Sequence, residues 1–345
     1  TGSTMARAAM TKFVVRRAIS AIPVFIGATF VIWAMIFVLP GDPIRALSGF
    51  KPQPPEVNRA LREQYHLNDP LIAQSLEYLG DVITLDFGSS FTGREVSDLL
   101  RQALPSSLGI LAVAMVFIVV GGITLGTIAA YRRHHWADSL IMFATALAVA
   151  VPAVVVAPLG RSWLGIELGW FPDRGVTAGW TSYLLPGLIL GLVSMAAVTR
   201  LLRSALIDDL RSDHARTAVA KGLRPLRVIG IHSMRNSLQS TTSFLGADVP
   251  LLLAATALVE TVFEIPGVGG LFVLAARDQE TPVVAGVVMF LAVFLTAYPV
   301  LSDPVGTYDG WFPPNNDEPT DTEPVDEDPE FAAPRAEFRF VAESM

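Results

Sequence analysis

Long apolar runs alternating with short polar segments dominate this sequence. A helix that crosses a membrane needs about 20 predominantly apolar residues, and most of these runs reach that length. Prolines, glycines and charged residues mark where the runs end. We therefore predict an all-α polytopic membrane protein with six transmembrane helices, covering Phe13–Leu39, Leu108–Ala130, Ser139–Leu159, Leu184–Val198, Thr241–Val262 and Val283–Leu301.

Basic residues cluster on one side of this arrangement. They surround the start of the first run, follow the second run at Arg132 and Arg133, and recur through Ser204–Arg235. Loops rich in lysine and arginine stay in the cytoplasm, so these segments are predicted to be cytoplasmic. With six spans, both chain ends then lie in the cytoplasm.

The segment between the first two runs predicts a small external helical subdomain. Pro40-Gly41-Asp42-Pro43 ends the first helix, because two prolines and a glycine cannot continue it. Glu56–Tyr65 is typical of a helix, and a structureless connection as long as Ile44–Leu104 is uncommon. The subdomain either supports the helix ends as a lid or contacts a delivery partner, and the sequence leaves both readings open.

Proline interrupts the third run at Val151-Pro152. A proline inside a spanning helix frees backbone groups that neighbouring helices or water must satisfy. We expect a kink here, at the wall of a water-filled path. Arg161–Tyr183 then forms an external loop.

Composition agrees with a membrane protein. The chain is 52% hydrophobic and 17% charged, with a mean hydropathy of +0.48, which is more apolar than a soluble domain. Cysteine is absent, and this excludes disulfides and thiolate sites. The net charge of −7 comes from the acidic last residues, so no nucleic-acid partner is predicted.

The two termini are set apart from the membrane core. Residues 1–10 are interpreted as an N-terminal tail with a non-native remnant, the natural start being Met5 or Met10. The proline-rich acidic end cannot bury enough apolar surface to fold, so disorder is predicted. The predicted division is 11–39 first transmembrane helix, 40–104 external subdomain, 105–301 membrane core with cytoplasmic loop 204–235, and 302–345 disordered cytoplasmic tail.

A short polar helix is predicted inside the cytoplasmic loop. Ser212 or Asp213 is suited to begin it and Gly222 to end it. A helix this short is marginal alone, so it needs a partner surface. An ordinary basic loop attracted to anionic lipid explains the charge but not the small residues or the stop. The face expected to meet the partner has small side chains, at Ala215, Ala218, Val219 and Gly222.

This pattern resembles the EAA coupling loop of ATP-binding-cassette (ABC) importer permeases. Other segments are similar to dipeptide and oligopeptide permease B subunits, in the same order and from about Thr11 to Leu301. The matching segments are Leu39-Pro40-Gly41-Asp42-Pro43, Leu185-Pro186-Gly187, Ile231-His232, Arg235-Asn236, Val259-Glu260-Thr261-Val262-Phe263 and Pro266-Gly267-Val268-Gly269-Gly270-Leu271. The chain departs from the family at Val249-Pro250-Leu251-Leu252-Leu253-Ala254, where many relatives are rich in glycine. It departs again at Asp303-Pro304-Val305, where a family member would usually have Asp-Pro-Arg, and in its additional acidic tail.

The resemblance implies a type I ABC importer permease fold and a set of partners. These are a homologous second permease, two ABC ATPase domains, an external substrate-binding protein, a peptide substrate and membrane lipid. The sequence has no phosphate-binding loop, so the partner ATPases would bind ATP and Mg, and this chain would be non-catalytic without cofactor or metal of its own. The implied ATPase-coupling residues are Asp213, Ala215, Arg216, Thr217, Ala218, Ala220, Lys221 and Gly222.

The sequence leaves other cargoes and other classes of membrane protein as alternatives. Within the family, nickel, glutathione or another small solute is an alternative cargo. An ion-coupled secondary transporter needs several intramembrane ionisable groups, and a membrane-embedded enzyme needs converging polar side chains, and both are scarce here.

Two carboxylates within the fifth run are candidates for the transport path. A carboxylate at membrane depth is costly, so Asp248 either lines the path or pairs across a subunit interface, unless it lies at a helix end with access to water. Glu260 is expected to shape an external mouth or gate, and the alternative is a helix cap followed by a tight turn. The residues assigned to the pore or gate are Asp248, Glu260, Phe263, Pro266, Gly267, Gly269 and Gly270.

Overall fold

The computed structural model describes residues 19, 22–34, 54–64, 69–84, 86–90, 92–223, 229 and 233–302. Regular structure in these residues is helical, apart from one isolated bridge between Ser89 and Glu95. The helices are α1 Ile22–Ala34, α2 Pro55–Gln64, α3 Leu71–Ile83, α4 Val96–Tyr131, α5 Trp136–Ala150, α6 Ala153–Gly160, α7 Leu184–Asp209, α8 Asp213–Ala220, α9 Met234–Phe263, α10 Val268–Arg277 and α11 Thr281–Ser302.

Four of the described helical segments are long and apolar enough to cross a membrane: those containing α4, α7, α9 and α11. A fifth is counted if α5 and the helical segment that starts with α6 form one span. The first predicted span is described only over α1 and Ile19, and its remaining residues lie outside the described part. The count of six therefore stays a prediction, as does the tail beyond Ser302, which also lies outside the described residues.

The third predicted span bends far more than a kink. Its two helical parts meet at 98° across Val151 and Pro152. Val151 has an extended backbone (φ −89°, ψ 120°), as expected for a residue before proline, and Pro152 has no N–H to donate. The break that the sequence predicts at Val151-Pro152 is therefore present, as a sharp bend between two helices. The second part continues from α6 into a π-helical segment, Arg161–Glu167.

Helix α7 is longer than the span predicted to end at Val198. It continues to Asp209 and includes two arginines whose charged groups find partners on α5. Arg203 donates to both carboxylate oxygens of Asp138 at 2.7 Å, and Arg200 Nε donates to Thr145 Oγ1 at 3.1 Å. The arginines thus belong to a helix end, and the loop predicted from Ser204 begins at Leu210.

Helix α4 is longer than the hydrocarbon core of a bilayer is thick. It has 36 residues, or about 54 Å at 1.5 Å per residue, against a hydrocarbon core of about 30 Å. It already begins at Val96, so the boundary predicted at Leu104 falls inside this helix. Pro105 lies within its first third without ending it.

The helix bundle has two ends with different character. At one, called the basic end here, the end of α4, the end of α7 and the start of α9 share an apolar cluster that includes Ala130, Leu202 and Leu206. At the other, the distal end, α4, α10 and α11 share a cluster that includes Leu100, Val268 and others. The largest apolar cluster involves α4, α6, α7 and α9.

Candidate functional site

Helix α8 lies between α7 and α9 at the basic end. It covers Asp213–Ala220, and the Ser212 carbonyl accepts the N–H of Arg216 at 3.1 Å. Gly222 follows in the left-handed region, with φ +81°, a conformation that side chains with a Cβ rarely adopt. The helix thus begins and ends where its sequence signals predict.

One side of α8 is buried within this chain. Ala215 is 1% exposed and packs with Leu210 and Leu223. The expectation that Ala215 faces a partner is therefore wrong, because these two leucines cover it. The side chains of Ala218 and Val219, on the same predicted face, lie outside the described residues.

The opposite side of α8 is open. Its exposed residues recur at i, i+3, i+4 and i+7 and so form one face. Arg216 lies 3.5 Å from Asp213 in an exposed pair, which contributes little to stability. Lys221 and Gly222 are exposed just beyond the helix. The face consists of Asp213, Arg216, Thr217 and Ala220.

Hydrogen bonds hold the neighbouring helix ends beside α8. Asn236 Nδ2 on α9 donates to Asp209 Oδ1 on α7 at 2.7 Å, and Asp209 is buried. The Ser212 hydroxyl donates to the Asp209 carbonyl at 2.5 Å. These bonds connect the end of α7 both to the start of α9 and to the turn from which α8 begins.

At the distal end, Glu260 is completely buried near the end of α9. Its Oε1 accepts the hydroxyl of Ser107 on α4 at 2.6 Å, and its Oε2 accepts the N–H of Gly270 on α10 at 2.7 Å. The Ser107 hydroxyl oxygen in turn accepts the N–H of Val268 at 2.8 Å. Two of the N–H groups that an α-helix leaves unpaired at its start are thereby bonded, and a carboxylate lies at the positive end of the helix dipole.

Two glycines allow this close approach of α9 and α10. A Cβ on Gly267 would overlap the Glu260 carboxylate, and a Cβ on Gly269 would overlap the backbone of Ala257. Glycine at both positions is therefore a requirement of packing. Of the two readings of Glu260, the helix cap followed by a tight turn describes this geometry.

The end of α9 is also bonded to the segment after α6. Arg161 donates from Nη1 to the Val262 carbonyl at 2.5 Å and from Nη2 to Glu264 Oε1 at 3.0 Å. The Phe263 carbonyl accepts the N–H of Gly175 at 2.8 Å. These bonds satisfy carbonyl groups that the helix itself leaves free. They connect α9 to the second part of the bent span and to the loop that follows it.

A cavity of about 420 Å³ lies beside this turn. Phe263 is buried, at 1% exposure, and belongs to the central apolar cluster. Pro266, by contrast, lines the cavity together with residues of α4 and α10. The gate residues predicted from sequence are thus brought together, with the exception of Asp248. The cavity wall includes Leu99, Gln102, Pro266, Leu271, Leu274 and Arg277.

Asp248 lies at the middle of α9, away from the distal end. Its Oδ2 atom is buried and has no hydrogen-bond partner among the described residues. The alternative of a helix-end position is therefore wrong. A role in the path or in a subunit contact stays a prediction.

Sequence reasoning missed three side chains that position these sites. Ser107 follows Pro105 in an apolar run and carries no motif, and the sequence predicts Arg161 to be the start of a loop. Asp138 was included in no site, because its partner Arg203 lies 65 residues away. An intramembrane charge next to an apolar run is the one signal that points to Asp138.

The long apolar helices of this bundle are typical of a multi-pass membrane protein. The model of the binding-protein-dependent transport system inner membrane component family matches residues 122–303, and that of the N-terminal part of such membrane components matches residues 10–110. The chain belongs to this family, and it is a permease subunit of an ABC transporter.

Named relatives cover most of the chain. The dipeptide transport system permease protein of Bacillus subtilis (strain 168) is 33% identical over 291 residues, which are 83% of this chain and 92% of the relative. The oligopeptide transport system permease protein of Haemophilus influenzae is 34% identical over 298 residues, 85% of this chain and 96% of the relative. The similarity therefore extends over nearly the whole length of both relatives.

Proposed function

We propose that this chain forms half of the membrane path of an ATP-driven importer of dipeptides or oligopeptides. The names of relatives that are 31% to 34% identical support peptides as the cargo. The observation that carries the mechanism is α8: one side is anchored by Ala215 and the other is open and polar. Such a short helix gains stability when a partner covers its open face.

The partner on α8 is an ABC ATPase. The sequence has no phosphate-binding loop, so ATP and Mg bind to separate subunits. Arg216 and Lys221 orient the contact by charge, and Thr217 and Ala220 allow close approach. Closure of the ATPases then moves α8 together with the ends of α7 and α9.

The complete importer contains a second, homologous permease, two ATPase domains and an external binding protein that delivers the peptide. The basic end faces the cytoplasm, as the positive-inside rule requires, with both chain termini on that side. The distal turn around Glu260 and Gly267 then lies outside, where it forms part of the external gate. Asp248 lines the path or pairs with the second permease.

Substitution of Gly222 tests the coupling role. In Gly222→Val, the β-branched side chain disfavours the left-handed backbone and displaces the end of α8, so ATP-driven uptake of a labelled dipeptide or oligopeptide should fall at least tenfold. Gly93→Val is the matched control, because Gly93 has φ +78° and equally open surroundings but lies beside the distal end. Full uptake by an assembled Gly222→Val complex would contradict the proposal.

A further inference from the structure

One hydroxyl group connects three helices at the distal end. Ser107 is fully buried on α4. It donates to Glu260 on α9 at 2.6 Å and accepts from the Val268 N–H on α10 at 2.8 Å. A buried hydroxyl that uses both donor and acceptor capacity fixes its neighbours in direction as well as in distance.

Helices α9 and α10 are bonded to each other independently of Ser107. The Glu260 carboxylate accepts the Gly270 N–H, and the Glu260 carbonyl accepts the Ile265 N–H at 2.9 Å. Gly269 lies against the backbone of Ala257 so closely that no Cβ fits between them. The two helices and their turn therefore form one packed unit, called the α9–α10 hairpin here.

The contact between α4 and the α9–α10 hairpin is of a different kind. At the distal end it includes, besides the two bonds of Ser107, apolar packing of Leu100 and Ala103 near Val268. Further along the bundle, α4 and α9 pack together in the central apolar cluster. Apolar contact is non-directional, whereas the two bonds of Ser107 fix direction as well as distance. The cavity of about 420 Å³ lies between these same elements, with Ala103 on one wall and Leu271 on another. Packing along this boundary is thus incomplete.

We propose that Ser107 is a positioning residue that holds α4 against the α9–α10 hairpin, and that the distal end opens when these two bonds break and the cavity boundary parts. The hairpin then moves as a unit, because its internal bonds do not involve α4. Only the link to transport rests on the proposed function. The link between Ser107 and the separation of α4 from α10 does not depend on the cargo.

Thiol labelling measures that separation directly. The chain has no cysteine, so Ala103→Cys, at a position that is 7% exposed on the cavity wall, introduces a single thiol. In the purified complex in lipid nanodiscs, Ser107→Ala should raise the rate at which a hydrophilic maleimide labels this introduced thiol about tenfold. Ser106→Ala is the matched control, since Ser106 is a buried neighbour with 8% exposure and bonds to neither Glu260 nor Val268. It should label at the parent rate.

Rescue separates a positioning role from a loss of packing. Ser107→Thr retains the hydroxyl and should return labelling to the slow rate, whereas an effect of volume alone would persist. Leu271→Cys on the opposite wall provides a second reporter if the first variant does not assemble. Equal labelling rates in Ser107→Ala and Ser106→Ala would overturn the proposal. Faster labelling in Ser107→Ala, together with a parent complex that takes up no peptide, would uphold the positioning role of Ser107 and count against the proposed function instead.

Discussion

The two ends of the bundle differ in the burial of their polar side chains. At the distal end, the polar group that matters is buried: Glu260 is 0% exposed and has hydrogen bonds from two other helices. At the basic end, the side chains of Asp213 and Arg216 are 97% and 72% exposed, and one alanine anchors their helix. The distal site is satisfied within the chain, while α8 presents its polar face outward.

This contrast predicts where substitutions act. A change at the distal end should damage the fold of this chain, because buried polar groups lose their partners. A change on the open face of α8 should leave the fold intact and act on a partner. Stability and uptake, measured together on each variant, distinguish the two kinds of site.

Removal of the buried carboxylate should have the largest effect. Glu260→Ala leaves the Gly270 N–H and the Ser107 O–H without their acceptor, and should cost about 4 kcal/mol from the lost hydrogen bonds and the burial of unpaired groups. Yield and thermal stability of the purified complex should both fall. A variant as stable as the parent would show that the distal end does not depend on this cap.

Disruption of the ion pair between α5 and α7 should rank next. Asp138→Ala leaves Arg203 largely buried without its carboxylate, and should cost about 3 kcal/mol. Asp138→Ala combined with Arg203→Leu should recover part of the loss, since no unpaired charge then remains. Strictly additive losses in thermal unfolding would argue against direct coupling of the two side chains.

Alanine substitutions of two helical glycines should differ in stability, because one glycine is closely packed and the other has open space beside it. Gly269→Ala forces a methyl group into the backbone of Ala257 and should cost about 2 kcal/mol from overpacking. Gly246→Ala, in α9 with nothing near its added methyl, should be neutral or slightly stabilising. Thermal unfolding of the two variants side by side measures the difference, and equal midpoints would refute the packing argument.

The smallest effect on stability is expected on α8. Arg216→Ala removes an exposed pair and should change the free energy of unfolding by less than about 0.5 kcal/mol. ATP-driven uptake should nevertheless fall several-fold, because the proposed role of the arginine is to orient the ATPase. A normal uptake rate in this variant would remove Arg216 from the proposed contact.

Local signals in the sequence predicted local structure well. A capping residue and a glycine correctly delimit α8, and proline correctly marks the break at Val151 and Pro152. The predicted partner face of α8 is wrong at Ala215, because the burial of this residue depends on Leu210 and Leu223, which lie outside the helix. Small size alone does not tell whether a residue faces its own chain or another.

Long-range partners could not be predicted in the same way. Ser107 and Glu260 are 153 residues apart, and no periodicity links them. The extension of α7 beyond Val198 likewise depends on Asp138, whose carboxylate accepts both hydrogen bonds of Arg203. An arginine that marks the end of a span in the sequence can lie inside the helix when a carboxylate on a neighbouring helix accepts its hydrogen bonds.

The central proposal, that the open face of α8 binds an ABC ATPase, is tested most directly by photo-crosslinking. A photoreactive amino acid replaces Thr217 on that face or, as a control, Leu76, an exposed residue of α3. After illumination of the assembled complex, the proposal predicts an adduct between this chain and the ATPase from Thr217 and none from Leu76. Absence of that adduct, in a complex from which the ATPase still co-purifies, would contradict it.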